Sequence, residues 1–439
     1  MICPFHTELY SKRREALFDA LVAAGNAVAV FPSAPVYTRN NDVDHEYRQD
    51  SDLFYLTGYD EPNSVLVLTS KDRKATMFVR SRDPEREVWD GPRAGVDGAK
   101  ERFGADAAFV IGELATELPK LLSSTQKLFY RLGRDRPFDD KILEAIDRTR
   151  ARARLGVVWP TEIADPAQIV HEMRLFKGKE DLEAMRVAAR ITHDAHVSAM
   201  ARAKPGMHEY EVEALLLETF RRNGSERPAY GSIVGSGANA TVLHYRSNNR
   251  KMEDSELLLI DAGCELDYYA ADVTRTFPIN GKFSKEQQAI YELVLEAQEM
   301  GIQGTVKGAT LDGIHKDTVQ VITRGLVRLG LLQGEVDKLV ETEAYKPFYM
   351  HRTSHWLGMD VHDVGGYYLG GKPRELAPGM VLTVEPGIYI ARDNEKVPAE
   401  WRGIGVRIED DILVTAGAPE NLTASIPKTV KDVEHACAA

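Results

Sequence analysis

The segment Leu257-Leu258-Leu259-Ile260-Asp261 ends an unbroken apolar run in a carboxylate, and this restricts the fold more than anything else in the chain. Consecutive large apolar residues read as a buried strand. A charge at its end is costly to bury unless an opposite charge meets it. A second strand-like stretch, Tyr268 to Phe277, carries Asp272, and Cys264 to Asp267 reads as the turn between them. A hairpin centred near Leu266 and Asp267 places Asp261 and Asp272 directly opposite each other. Like charges so placed disfavour the pairing by roughly 0.2–1 kcal/mol even when solvated. A shared divalent cation reverses that sign. A single Asp near a turn is more often a solvated strand end, and the apolar run before Asp261 is what argues against that here.

The same logic repeats further on. Met380 to Glu385 reads as a strand closed by Pro386-Gly387, and Gly403 to Glu409 with Asp410 to Val414 as another, while Asp393 to Glu400 is polar, carries Pro398 and reads as a loop. A hairpin folded about Val397 brings Glu385 and Glu409 together. Arg407 lies two residues before Glu409, hence on the same strand face. There its guanidinium could hold a metal-bound carboxylate in place, and that position favours this role over an ordinary surface salt bridge.

Three histidines, His351, His355 and His362, fall between the two acidic regions. Gly358 and Gly365-Gly366 argue against one continuous helix and for a loop with a short strand. Spacing alone does not say which histidine binds metal. The chain has no His-Glu-x-x-His motif and no Cys-x-x-Cys pair. An oxygen-rich site with one or two imidazoles suits Mn, Fe, Co or Zn in a bridged pair better than a thiolate-bound structural zinc.

Taken in order, Ile260-Asp261-Ala262-Gly263-Cys264-Glu265, Asp272-Val273-Thr274-Arg275-Thr276-Phe277-Pro278, Ser354-His355-Trp356-Leu357-Gly358, Asp360 to Gly365, Thr383 to Gly387 and Gly405 to Asp410 resemble aminopeptidase P, the proline-specific branch of the pita-bread metallopeptidases. Tyr47 to Gly58 resembles that family's amino-terminal domain. The resemblance implies two divalent cations per subunit, Mn(II) first and Zn, Co or Fe as alternatives. Asp272 and Glu409 would bridge them, with Asp261 completing one and His355 and Glu385 the other. A shared water made acidic by the pair would attack the carbonyl before a penultimate proline. Glu385 would also shuttle the proton, and His362 would position the carbonyl or its oxyanion. His244 would lie toward the amino side of the peptide and His351 near the proline, with Tyr230 and Arg407 supporting. Asp42 matches a position near the entrance of a neighbouring subunit's site, so a homo-oligomer, tetramer or dimer, is expected. One departure stands out: an arginine expected after the His-Asp-Val-Gly motif has no clear equivalent among Gly370, Gly371 and Lys372, and Arg374 would have to substitute.

The coarse pattern agrees. The chain reads as α/β (α+β): a small α/β amino-terminal domain over residues 1–174, then a pseudo-symmetric pita-bread catalytic domain over 175–439. The second domain runs helix, helix, hairpin twice, with helices at about 179–203, 208–222, 284–300 and 310–330. A chain of 439 residues is too long for one ordinary core. Its net charge of −12, with both signs intermixed, argues against nucleic acid or an anionic membrane as partner. Cys3, Cys264 and Cys437 form no disulfide framework, and Met1 to His6 lacks the segments of a signal peptide, so the cytoplasm is the expected compartment. Gly235-Ser236-Gly237 lacks the third glycine of a dinucleotide fingerprint, and Cys264 reads as a packed residue rather than a nucleophile. The nearest rival is prolidase, the dipeptidase with the same ligands; the short interval from Glu385 to Glu409 favours the aminopeptidase. Retention of all five ligand positions argues against a binding or chaperone-like relative and against metal-free, creatinase-like hydrolysis.

Overall fold

The computed structural model describes residues 7–438. Cys3 and the segment Met1 to His6 lie outside the described residues. The chain divides into two compact units, the first ending at Met173 and the second beginning at Arg174.

In the first unit, a six-stranded sheet runs in the order Ala107–Val110, Lys74–Val79, Val65–Thr69, Val28–Pro32, Lys127–Phe129 and Glu162–Ala164. The middle pairs are antiparallel and the flanking ones parallel. Leu114, Leu118 and Leu122 and, from the helix Arg136–Arg150, Phe138, Ile142 and Ile146 pack on Val28, Val30, Val65, Val67 and Leu128. Asp42 occupies the exposed turn between Thr38–Asn40 and Val43–Asp44.

The second unit repeats helix, helix, hairpin. Helices Lys179–Arg202 and Glu209–Arg222 precede the first acidic hairpin, and Lys285–Gln303 and Leu311–Arg328 precede the second. Their limits follow from caps. Ser284 Oγ accepts from the Gln287 N–H while Gln287 Oε1 accepts from the Ser284 N–H, a reciprocal box that starts the third helix. Thr310 caps the fourth through the Gly313 N–H. Apolar faces of these helices bury against Leu258, Ile260, Ile388, Val406 and Ile408, so both hairpins rest on one core.

The second hairpin folds as expected. Val384 pairs with Asp410 and Gly387 with Arg407, a register that puts Glu385 opposite Glu409. The first does not. Its turn is Asp267-Tyr268, both with positive φ (49° and 69°), and Leu266 pairs with Tyr269. Asp261 therefore pairs with Thr274 and not with Asp272. Cys264–Leu266, expected as turn, is strand, and the strand expected over Tyr268 to Phe277 is interrupted between Tyr269–Ala270 and Thr274–Pro278. Across this gap the Ala262 N–H still donates to the Val273 carbonyl and the Ala271 N–H to the Cys264 carbonyl, both at 3.0 Å, and the backbones run so close that a Cβ on Gly263 would stand 1.8 Å from the Ala271 carbonyl oxygen. Asp272, two residues before Thr274, reaches Asp261 diagonally.

Candidate metal centre

Strand alternation aims the acidic side chains at one place. Tyr230 Oη lies 2.6 Å from Asp261 Oδ1 and 2.5 Å from Asp272 Oδ1, so one phenol touches both aspartates. His355 Nδ1 donates to the Trp356 carbonyl at 3.0 Å, which turns Nε2 inward, 3.4 Å from both Asp272 Oδ2 and Glu385 Oε1. Those separations exceed direct hydrogen bonds. Asp272, His355 and Glu409 offer ligand atoms all within 4.8 Å of one another. An oxygen-rich set with one imidazole whose second nitrogen is tied to a carbonyl is what a divalent transition metal takes.

The hairpins are fastened to each other around this cluster. The Glu409 N–H donates to the Thr274 carbonyl at 3.1 Å, and Thr274 Oγ1 donates to Glu409 Oε2 at 2.6 Å. Arg407 reaches from the second hairpin to the first, with Nη2 2.6 Å from Asp261 Oδ2 and Nε 3.0 Å from Thr274 Oγ1. Below it, fully buried Arg275 donates to the Glu409 carbonyl at 2.6 Å and to Asp410 Oδ1 at 2.7 Å. Its Nε donates to the Pro427 carbonyl, and Lys428 Nζ closes on Asp410 Oδ2. These cations hold Asp410 well below the usual carboxylate range although burial pushes the other way.

The buried carboxylates of the centre bear on one another. Burial raises Asp261, with Asp272 adding to it against Arg407. Burial, opposed by His355 and Arg407, pushes Glu385 up to about 7. Burial and then the charges of Asp272, Glu385 and Asp261 hold Glu409 far above the usual range. Burial alone would lower His355, yet its contacts with Asp272 and Glu385 raise it to about 9.

The remaining histidines line the same region. His351 Nε2 lies 2.9 Å from the Tyr389 hydroxyl and its Nδ1 3.9 Å from Glu385 Oε2. Burial and the Arg407 charge depress it to about 3. His362 is exposed and its ring meets His355 edge-on at 4.4 Å between centroids; burial and then the His355 charge lower it. His244 is exposed and near enough for its charge to bear on both His351 and His362. Arg374 is buried with Nη1 on the Gly366 carbonyl. Asp42 belongs to the first unit.

Four partners escaped the sequence reading: Thr274, Thr383, Tyr389 and Asp411. Each lies two or four residues from an acidic position, so period-two alternation would have found them. Thr383 Oγ1 stands 3.4 Å from Glu385 Oε1, the Tyr389 hydroxyl accepts from Arg407 Nη1 at 3.0 Å, and Asp411 Oδ2 accepts from the Asp272 N–H at 3.2 Å. Tyr230 is the simplest of the supports to test. Tyr230→Phe is expected to weaken metal affinity about 10–100-fold, read by titration against a competing chelator; unchanged affinity would remove the phenol from the site's support.

Comparison with known proteins follows this geometry. Residues 183–416 match metallopeptidase family M24, and residues 10–130 match the aminopeptidase P N-terminal domain. The chain is 44% identical to the Xaa-Pro aminopeptidase of Escherichia coli (strain K12), over 97% of its own length and 96% of that protein's. With Xaa-Pro aminopeptidase 3 of Homo sapiens the identity is 35%, over 98% and 85%. The structure of Pseudomonas aeruginosa aminopeptidase PepP superposes with a TM-score of 0.96 at 50% identity, covering 98% of each chain. With acidic hairpins, a tethered inward histidine and near full-length likeness in both units, the chain belongs to metallopeptidase family M24, in its aminopeptidase P branch.

Proposed function

We propose that the chain is a dinuclear-metal Xaa-Pro aminopeptidase that releases the amino-terminal residue from peptides with proline in second position. The observation that carries this is the cluster in which Asp272 and Glu409 offer ligand atoms beside His355, Glu385 stands 3.4 Å from the same imidazole, and Asp261 shares the Tyr230 hydroxyl with Asp272. Two divalent cations held by these five residues, Mn(II) ahead of Zn, Co or Fe, would supply Lewis acidity and a water of near-neutral pKa. Glu385 is the general base and acid of this reading: its carboxylate would accept a proton from the attacking water and return it to the departing proline nitrogen, which has no N–H and leaves poorly without one. His362, neutral at pH 7 because its pKa is lowered, donates a hydrogen bond from its ring N–H to the scissile carbonyl oxygen. His244 orients the peptide's amino side. His351, kept neutral beside Tyr389, lies on the proline side.

The same reading takes residues 1–174 and 175–439 as the functional domains and places the protein in the cytoplasm as a tetramer or dimer, with Asp42 near a neighbouring copy's site. Val88 and Trp89, 81% and 84% exposed on the first unit, support self-association. Among the described residues no helix is long and apolar enough to cross a membrane.

The test is hydrolysis of Ala-Pro-Ala and Ala-Pro by chelator-stripped protein with and without Mn(II), with products read by mass. Metal-dependent release of Ala from the tripeptide, the dipeptide being a poor substrate, is expected. Cleavage of the dipeptide alone would make the chain a prolidase, and no cleavage of either under any metal would refute the enzymatic reading.

A further inference from the structure

Asp363 directly follows His362 and is closed off from solvent by two cations. Its Oδ1 lies 2.7 Å from Arg174 Nη2 and its Oδ2 2.9 Å from Lys177 Nζ, with the three side chains 0%, 3% and 1% exposed. Such a buried charge cluster is a weak device for stability, because well-packed apolar residues of similar volume often serve as well or better. Its placement suggests another use. The Asp363 N–H donates to the Trp356 carbonyl at 2.9 Å, and that same oxygen receives His355 Nδ1 at 3.0 Å. Arg174 Nη2 also donates to Asp360 Oδ2 at 2.7 Å. Between these points the loop is pinned by the Ala270 N–H on the Gly358 carbonyl, 2.8 Å. Gly358 leaves no slack: a Cβ there would stand 2.1 Å from Asp363 Oδ2 and 2.8 Å from Lys177 Cε. The loop bearing His355 and His362 is thus gripped from the start of the catalytic unit, across 186 residues of sequence.

We infer that Arg174 and Lys177 are positioning residues for His362: by clamping Asp363 they fix where that imidazole stands beside the metal centre. The inference rests on the role given to His362 above. Lys177 acts through Asp363, and Arg174 through Asp363 and Asp360.

The test is a double-mutant cycle on the Mn(II)-loaded full chain, with Ala-Pro-Ala as substrate and wild type, His362→Ala, Lys177→Met and the double variant compared. Lys177→Met is expected to lower kcat about 10–100-fold with bound metal retained. On the His362→Ala background it should cause little further loss, since the ring it orients is gone. Lys177→Arg, which keeps the charge, should recover part of the rate. If Lys177→Met does not fold, the charge-matched Lys177→Met/Asp363→Asn pair enters the same cycle. Losses that multiply, or metal lost in proportion to activity, would overturn the clamp while leaving the peptidase reading intact. An active wild type with an unimpaired His362→Ala would remove the role of His362 and the clamp with it, whereas an inactive wild type would refute the peptidase reading itself.

Discussion

Glu385→Gln is expected to lower kcat for Ala-Pro-Ala on the order of 10²–10⁴-fold, the range for loss of a positioned general base. The substitution keeps the shape of the side chain and its neighbours Thr383 and His351. What it removes is the capacity to accept a proton, and with it one of the negative charges that hold cations. Metal analysis of the same variant divides these two contributions. A protein that keeps both cations and loses rate identifies Glu385 as the proton carrier, and one that loses a cation identifies it first as a ligand. Activity within a few-fold of wild type would show that neither role belongs to this residue.

The metal-free protein should lose stability as pH rises from about 6.5 to about 9, whereas the Mn(II)-loaded protein should not. Glu385, raised to about 7, contributes the last part of its loss at the lower edge of this window, and Glu409, raised well above the usual carboxylate range by burial and its acidic neighbours, acts in the same direction. The folded state therefore binds more protons, and stability falls with rising pH. His355 acts in the same direction. Raised from 6.5 to about 9, it contributes stability that is complete below its unfolded pKa and gone once pH passes its folded one. The depressed histidines, His196 and His315 at about 4 and His351 at about 3, lower stability only below pH 6.5 and are silent above it. The window is left to the metal-site groups, and the expected loss is on the order of a few kcal/mol. Urea denaturation at pH 6.5, 7.5 and 8.5, with chelator or with Mn(II), measures it. A flat or rising apo profile would contradict the electrostatics described here. Metal binding should also release protons across the same range.

The long helices of the catalytic unit were readable to within a few residues at each end. The helix expected over 179–203 spans Lys179–Arg202, and that over 284–300 spans Lys285–Gln303. Apolar periodicity and caps such as Ser284 are local signals, and local signals survive folding. The first hairpin was misjudged because its register depends on a tight turn at Asp267-Tyr268, which carries no Asn-Gly or Asp-Gly signature. The pairing of Glu385 with Glu409 was legible because each ends an apolar strand, whereas His355 was singled out among three histidines only by the resemblance to aminopeptidase P; the structure places its Nε2 3.4 Å from Asp272 Oδ2 and Glu385 Oε1. Arg174, Lys177 and Asp363 were invisible for the opposite reason: nothing local ties residue 177 to residue 363. Buried charge pairs between distant segments leave no periodic trace.

The Arg275 strut has a consequence for when, during folding, the centre can exist at all. Its guanidinium is satisfied only when Glu409, Asp410, Ile426 and Pro427 are in place, and Asp410 in turn needs Lys428. Thr274 and Glu409 meet across 135 residues, and Asp261 and Arg407 across 146. Contacts of such separation form late, after loop closure has been paid for. The first acidic hairpin therefore lacks the partner that orders it until Glu409, Asp410 and Lys428 have folded against it. The acidic positions are thus brought together by tertiary folding of the whole unit, and neither hairpin assembles the centre by itself.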